Sequence, residues 1–309
     1  MDVIGSPGRL LGAAALVSLL FAAPRLHALE FDPTENVSVI AETFTDQTLV
    51  RRVVYLRPTV ATTTGRVPAV VLLHYLRGDA EGMSNLAGAG RLVRDYGAWV
   101  ILPEGFKGIW NSSAGATRVS PQDDVAFLAK VIDRAVAKFP IDPQRIYMSG
   151  YSDGGHMAEL FACQRPEKIA ALSLVAAAIH TLDATLCAPA LPTPIQFIRG
   201  SADTLVPYNG DSFYKSATAT AALWAGINGC SSPPAGSNLP DTVADDGTTV
   251  HLDAYRNCTS ADPVELYSAI NAGHTWPGAL GFSSALGRTS QDIDATLLMW
   301  QFMSQYSRP

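Results

Sequence analysis

Short runs of apolar and β-branched residues, separated by segments with helical periodicity, constrain the fold of this chain more than any other feature of its sequence. Most of these runs are apolar at successive positions, which predicts strands that are buried on both faces. Such strands alternating with helices are typical of a mostly parallel sheet covered by helices on both sides. The predicted strands cover residues 52–56, 69–73, 99–102, 145–149, 170–175, 195–198 and 264–270. The sequence therefore predicts an α/β fold.

Three helices are predicted from apolar positions spaced 3.6 residues apart and from residues typical of helix ends. The first begins at Ser120 as N-cap, with Pro121 at the first helical position, and Pro140 ends it. The other two cover residues 212–226 and 292–306. Residues 231–248 are rich in Pro, Gly, Ser and Asp, which predicts a loop.

The N-terminal segment differs in character from the rest of the chain. Arg9 precedes an uncharged apolar run at residues 10–23, and Pro24 ends that run. A membrane-spanning helix needs about 20 apolar residues, so we interpret residues 1–28 as an export signal, with an uncleaved anchor as the alternative. Cleavage after Ala28 would leave residues 29–309 as one secreted or periplasmic domain without a stable membrane anchor.

Charge and cysteine content agree with an exported protein. The formal net charge is −6 at pH 7, and the absence of a basic run argues against a nucleic-acid partner. The four cysteines are Cys163, Cys187, Cys230 and Cys258. Of their three pairings we favour Cys163–Cys187 with Cys230–Cys258, and free thiols are the alternative. No two cysteines have C-x-x-C spacing, which argues against a zinc site.

The strongest local motif is Gly150-Tyr151-Ser152-Asp153-Gly154, which follows a predicted strand and precedes a helical stretch. In that context G-x-S-x-G predicts a sharp strand-to-helix turn that exposes a nucleophilic serine above the sheet. Glycines are expected on either side because larger residues would collide across the turn. The alternative is an ordinary glycine-rich turn between a strand and a helix.

A nucleophilic serine needs a base, and the base needs an orienting acid; in this type of fold both follow the serine in the order acid, then His. His274 lies in a Gly/Pro loop after an apolar strand, whereas His251 lies in an alternating segment typical of a strand. Asp203 follows the predicted strand 195–198 and is the expected acid. Other aspartates with the required order are Asp183, Asp211, Asp241, Asp245, Asp246, Asp253 and Asp262.

A developing oxyanion needs two backbone N–H donors. One is expected from Asp153, at the start of the helix after Ser152. The second is expected from Tyr75 or Leu76, in the loop after strand 69–73.

The chain resembles the secreted polyhydroxybutyrate-depolymerase-like esterases, relatives of the feruloyl and acetylxylan esterases. The matching motifs are LLH at 72–74, LPEG at 102–105, WNSSAG at 110–115, DDVAFL at 123–128, RIYMSGYSDGGHMA at 145–158, RGSADTLVPY at 199–208, NGC at 228–230 and GHTWPG at 273–278. The resemblance implies an α/β-hydrolase fold, no cofactor, and Ser152, Asp203 and His274 as the catalytic triad. Tyr75 stands where the family has glycine, which raises the question whether this loop can supply a donor.

Several further residues are candidates for roles in or near the site. Trp110 and Trp276 are candidates for stacking on aromatic or sugar groups in a substrate cleft, with core packing as the alternative. Tyr75 is a candidate wall of an acyl pocket. His74 is expected to make supporting hydrogen bonds. Asp123 and Asp124 are expected at a helix N-terminus.

The predicted activity is carboxylic ester hydrolysis through an acyl-enzyme, on an oligomeric or polymeric ester. Hydroxyalkanoate oligoesters are the favoured substrates, and feruloyl or acetyl esters of plant cell walls are the alternative. A serine peptidase and a non-catalytic envelope binding protein are further alternatives. The short connection at residues 176–194 predicts a site without a large lid.

Overall fold

The structure, a computed structural model, describes residues 36–46, 49–60, 65–113, 122–187, 191–231, 233–259 and 262–308. The predicted export signal at residues 1–28 lies outside these ranges, as do Ser120 and Pro121. Among the helices in these ranges, none is long and apolar enough to cross a membrane.

The described strands form one ten-stranded sheet in the order β1-β2-β4-β3-β5-β6-β7-β10-β9-β8. They are β1 (Val37–Asp46), β2 (Leu49–Pro58), β3 (Val67–Leu73), β4 (Trp99–Pro103), β5 (Ile141–Tyr151), β6 (Ala171–Val175), β7 (Ile195–Gly200), β8 (Ala235–Asn238), β9 (Thr249–Tyr255) and β10 (Val264–Ile270). The six strands from β4 to β10 in the sheet order pair in parallel, and antiparallel strands flank them on both sides. The predicted mostly parallel α/β sheet is confirmed.

Helices cover both faces of the sheet, as strands that are apolar on both faces require. Those described are α1 (Ala80–Ala87), α2 (Gly90–Tyr96), α3 (Asp124–Lys138), α4 (Asp153–Gln164), α5 (Ala217–Ile227) and α6 (Ala295–Met303). In β3, Val71 and Leu73 join the core under α3, α4 and α5, whereas Val70 and Leu72 join the core under α1, α2 and α6. The alternation follows from the two-residue period of a strand.

All three predicted helices exist, but each begins later than predicted. Helix α3 is capped by Asp123, whose carboxylate accepts the N–H of Ala126 at 2.9 Å, so the predicted Ser120 cap is wrong. Helix α5 is capped by Ser216, and α6 by Asp294. In each case the side chain of the cap residue accepts at least one backbone N–H of the first turn.

Several elements were not predicted. Helices α1 and α2 are short, and β1 lies at an edge of the sheet with partly exposed side chains. The predicted loop at residues 231–248 contains β8, whose residues are all exposed and which pairs with β9. His251 lies in β9, as its alternating segment indicated.

Both disulfides of the favoured pairing are present. Cys163, in the last turn of α4, is bonded to Cys187, and Cys230, just after α5, is bonded to Cys258, just after β9. Each bond therefore links a helix end to a loop across 24 or 28 positions of sequence.

We expect replacement of Cys230 and Cys258 together by alanine to lower the free energy of unfolding by about 3 kcal/mol, because the unfolded chain loses a loop constraint of this length. Urea denaturation of the oxidised proteins measures the difference. Under reducing conditions, where neither protein has this bond, the difference should disappear. An unchanged denaturation midpoint in the oxidised variant would contradict the prediction.

Candidate active site

Ser152, His274 and Asp203 lie together at the edge of the sheet where the parallel strands end. Ser152 follows β5, Asp203 follows β7 and His274 follows β10. The Ser152 Oγ lies 2.8 Å from His274 Nε2, and His274 Nδ1 lies 2.7 Å from an Asp203 carboxylate oxygen. The structure thus brings the three predicted residues into one hydrogen-bonded row, although up to 122 positions of sequence separate them.

Ser152 sits in the turn between β5 and α4 and caps the helix with φ 55° and ψ −121°. A left-handed backbone at a non-glycine residue is strained and is found mostly where function requires it. A Cβ on Gly150 would collide with the carbonyl of Gly154, and one on Gly154 would collide with the carbonyl of Leu73. Glycine is therefore required at both positions because the backbones approach so closely, as the sequence motif predicted.

The carboxylate of Asp203 is held by more than His274. Its Oδ1 accepts the N–H groups of Leu205 and Val206, each at 2.9 Å, while Oδ2 faces the imidazole. The guanidinium of Arg199 is buried and donates to the carbonyl of Val206 at 2.8 Å. The turn that carries Asp203 is thus fixed from both sides, and one carboxylate oxygen is left for the histidine.

The backbone of His274 is fixed from both of its ends. Its N–H donates to the carbonyl of Leu286 at 2.7 Å, and its carbonyl accepts the hydroxyl of Tyr151 at 2.7 Å. Burial raises the pKa of Tyr151 well above its ordinary value, so the phenol stays protonated and donates. Tyr151 also packs its ring 5.3 Å from the imidazole. The sequence does not predict this role of Tyr151, because its hydrogen-bond partner lies 123 positions away in the chain.

Asp153 begins α4, so its N–H is one of the groups that a helix leaves without an intrahelical partner. Its side chain makes contacts that the sequence did not predict. One carboxylate oxygen accepts the backbone N–H of Trp110 at 3.1 Å, and the other accepts the hydroxyl of Ser112 at 2.7 Å. Burial raises the pKa of this carboxyl to about 6, although both hydrogen bonds act to lower it.

The loop after β3 carries the other predicted donors, Tyr75 and Leu76. In this loop the residue with a left-handed backbone conformation is Arg77, with φ 61°, whereas Tyr75 does not have a positive φ. The carbonyl of Tyr75 accepts the N–H of Gly78 at 2.8 Å and closes the turn. The side chain at position 75 therefore adds no left-handed strain, and the backbone does not require the glycine typical of the family.

His74 fixes the start of this loop and has one clear tautomer. Its Nε2 lies 2.9 Å from the N–H of Gly105, which can only donate, so the ring proton is on Nδ1. Nδ1 donates to the carbonyl of Tyr75 at 2.8 Å. Burial lowers the pKa of His74 to about 4, which keeps the ring neutral. The expected supporting role of His74 agrees with these contacts.

The two candidate cleft tryptophans are buried. Trp110 is 2% exposed, and its indole N–H donates to the carbonyl of His74 at 2.9 Å. Trp276 is 1% exposed and donates to the hydroxyl of Thr296, and it borders a cavity of about 700 Å³ beside α1 and α2. Stacking on a substrate needs an exposed ring face, so that prediction is wrong for Trp110, and Trp276 also serves mainly in packing.

A smaller cavity of about 220 Å³ lies beside Tyr151, the residue before the nucleophile. Its walls include the side chains of Tyr75, Leu86, Phe282 and Leu286. The rings of Tyr75 and Tyr151 meet edge to face at 5.7 Å. Tyr75 therefore contributes to the wall of a mostly apolar cavity next to the serine turn.

The family model and the relatives that match this chain are those of esterases and polyester depolymerases. The sequence model of the family described as esterase PHB depolymerase matches residues 50–191. The chain is 28% identical to feruloyl esterase B of Piromyces equi over 84% of its own length and 46% of that protein. It is 27% identical to the poly(3-hydroxyoctanoate) depolymerase of Pseudomonas fluorescens over 57% of its own length and 71% of that protein. The chain thus spans about half the length of the feruloyl esterase that it matches.

Among solved structures, the acetyl xylan esterase of Aspergillus awamori superposes with a TM-score of 0.59 at 19% identity. The match covers 77% of this chain and 94% of that protein. At this identity the likeness establishes the fold. The chain has the α/β-hydrolase fold, and its residues 50–191 match the sequence model of the esterase PHB depolymerase family.

Proposed function

We propose that the chain is a serine carboxylic ester hydrolase that works through an acyl-enzyme. The observation that carries the proposal is the row of hydrogen bonds from Ser152 Oγ to His274 Nε2, at 2.8 Å, and from His274 Nδ1 to Asp203, at 2.7 Å. A serine hydroxyl is a weak nucleophile unless a base accepts its proton. This row supplies the base and holds it in the tautomer that can accept.

In the first half of the reaction, Ser152 Oγ attacks the ester carbonyl carbon while Nε2 of His274 takes the hydroxyl proton. The resulting imidazolium is stabilised by the carboxylate of Asp203. The carbonyl oxygen becomes an oxyanion, which accepts hydrogen bonds from the N–H of Asp153 and from the backbone of the 75–76 loop. Collapse of this intermediate breaks the ester C–O bond, and His274 returns its proton to the leaving alcohol.

In the second half, a water molecule replaces the alcohol. His274 takes one proton from the water as its oxygen attacks the acyl carbon of the Ser152 ester. The second tetrahedral intermediate collapses, the carboxylic acid leaves, and the proton on Nε2 returns to Ser152 Oγ. Each group thus ends in its starting state, and no further reactant is needed.

The favoured substrates are hydroxyalkanoate oligoesters. The family description and the relative that acts on poly(3-hydroxyoctanoate) support this class. Ser152 is partly exposed, and each of the six described helices contacts a strand of the sheet. An open site of this kind suits a segment of an extended polyester. The apolar cavity beside Tyr151 suits an aliphatic acyl group.

A feruloyl ester is the second candidate substrate. Feruloyl esterase B matches a larger share of this chain than the polyester depolymerase does, 84% against 57%. Three of the residues that line the smaller cavity are the aromatic residues Tyr75, Tyr151 and Phe282, which suit an aromatic acid.

We further propose that the chain acts outside the cytoplasm. Its two disulfides support this location, because such bonds persist in oxidising compartments. The apolar run at residues 10–23 supports an export signal.

Ser152→Ala should abolish hydrolysis of p-nitrophenyl butyrate and also covalent labelling by a fluorophosphonate, because both reactions require Oγ. Ser304→Ala, which changes an exposed serine at the end of α6, is the matched control and should react like the wild type. Mass spectrometry of the labelled protein identifies the modified residue. Labelling of Ser152→Ala at the wild-type rate would refute the assignment of the nucleophile.

Asp203→Asn should lower kcat by about 10⁴-fold. Two backbone N–H groups point at Oδ1, so the amide oxygen will occupy that position and the NH₂ group will face His274. The imidazole proton must then move to Nε2, which can no longer accept the proton of Ser152. Steady-state kinetics with p-nitrophenyl butyrate measure the loss, with circular dichroism to check folding. A folded variant within tenfold of wild type would show that Asp203 does not orient the base.

Rates on 3-hydroxybutyrate trimer and on methyl ferulate separate the two substrate classes. We expect the higher kcat/KM for the trimer, measured as acid release at equal enzyme concentration. A higher value for methyl ferulate would favour the cell-wall ester instead. Ser152→Ala serves as the blank for both substrates.

A further inference from the structure

The loop at residues 105–112, which follows β4, touches both parts of the proposed oxyanion hole. On one side it contacts His74, the residue just before the 75–76 donors. The N–H of Gly105 donates to His74 Nε2 at 2.9 Å, and the indole N–H of Trp110 donates to the His74 carbonyl at 2.9 Å. The loop after β3 is thus attached to the loop after β4.

On the other side the same loop contacts Asp153, whose N–H is the other proposed donor. The backbone N–H of Trp110 donates to one carboxylate oxygen of Asp153 at 3.1 Å, and the hydroxyl of Ser112 donates to the other at 2.7 Å. Trp110 therefore uses its two N–H groups in two directions, the indole toward His74 and the backbone toward Asp153.

The two donors belong to loops that leave different strands, β3 and β5, and these loops meet where Gly154 lies against the carbonyls of Leu73 and His74. The loop after β4 adds a second connection between them through Trp110. An oxyanion hole is effective only when both N–H groups lie 2.7–3.1 Å from the place where the oxyanion forms, and a displacement of about 1 Å can cost about 100-fold in rate. A connection between the two loops therefore has a direct catalytic consequence.

We propose that Trp110 is a positioning residue that sets the separation of the two oxyanion donors. The inference rests on the proposed ester hydrolysis, because it concerns the same site. Trp110 is 2% exposed and His74 is 1% exposed, so solvent has little access to the indole hydrogen bond. The two rings also pack with their centroids 4.9 Å apart, which fixes the indole orientation.

Trp224 offers a matched comparison. It is completely buried, and its indole N–H donates to a carboxylate oxygen of Glu159 at 2.8 Å. It lies in α5, away from the loops that carry Tyr75 and Asp153. Replacing either tryptophan by phenylalanine removes one buried indole hydrogen bond, but only the change at Trp110 removes a hydrogen bond between the loop after β4 and His74.

The experiment compares Trp110→Phe with Trp224→Phe in p-nitrophenyl acetate hydrolysis at pH 8, above the pKa of Asp153 of about 6. Trp110→Phe should lower kcat by about 10- to 100-fold with KM within about twofold, because the ground-state substrate does not use the oxyanion geometry. Trp224→Phe should lower the melting temperature to a similar extent and keep the wild-type kcat.

A second pair of variants tests the other end of the connection. Asp153→Asn keeps an oxygen that can accept the Trp110 N–H and an amide that can donate to Ser112, whereas Asp153→Ala keeps neither. The backbone N–H is present in both. We expect a kcat at least about tenfold higher for Asp153→Asn than for Asp153→Ala at similar KM, because only the asparagine maintains the connection.

The outcomes separate the inference from the function on which it rests. An inactive but folded wild type would refute the ester hydrolase proposal itself. An active wild type with equal kcat in Trp110→Phe and Trp224→Phe would overturn the positioning role alone. If Trp110→Phe does not fold, the Asp153 pair decides: a higher kcat for Asp153→Asn supports the role, and equal values overturn it.

Discussion

The close backbone contact between the first turn of α4 and the end of β3 is the constraint on which the site depends. Gly154 lies so near the carbonyls of Leu73 and His74 that no side chain fits between them. This contact places the strained Ser152 turn directly against the loop after β3. It thereby assembles a nucleophile and two candidate oxyanion donors from segments that are more than 70 positions apart in sequence.

Around this contact, the supporting groups have fixed protonation states. Burial keeps His74 neutral by lowering its pKa to about 4, and it keeps the hydroxyl of Tyr151 protonated by raising the pKa of that group. Each of these groups donates to a backbone carbonyl of a loop that carries the site. The framework can therefore stay unchanged through a catalytic cycle in which the proton moves between Ser152, His274 and the reactants.

The central strands and the row of Ser152, Asp203 and His274 could be predicted because their signals are local: apolar runs, a glycine-bounded serine, and turns after strands. The edge strand β8 could not, because its residues are all exposed and show no apolar alternation. The burial of Trp110 and the contacts of the Asp153 side chain also escaped prediction. These contacts join residues that are 41 to 43 positions apart in sequence, and no local sequence pattern predicts contacts between such distant loops.

The disulfide at the C-terminal end of α4 belongs to the same helix whose N-terminal end carries the strained Ser152. The helix begins at the left-handed Ser152 and carries Cys163 in its last turn, where a covalent bond ties it to Cys187. The covalent bond limits how far the last turn of α4 can move relative to residue 187. Formation of this disulfide therefore restrains the C-terminal end of the same helix whose N-terminal end holds the nucleophile, so the bond bears on the position of Ser152 as well as on the free energy of unfolding.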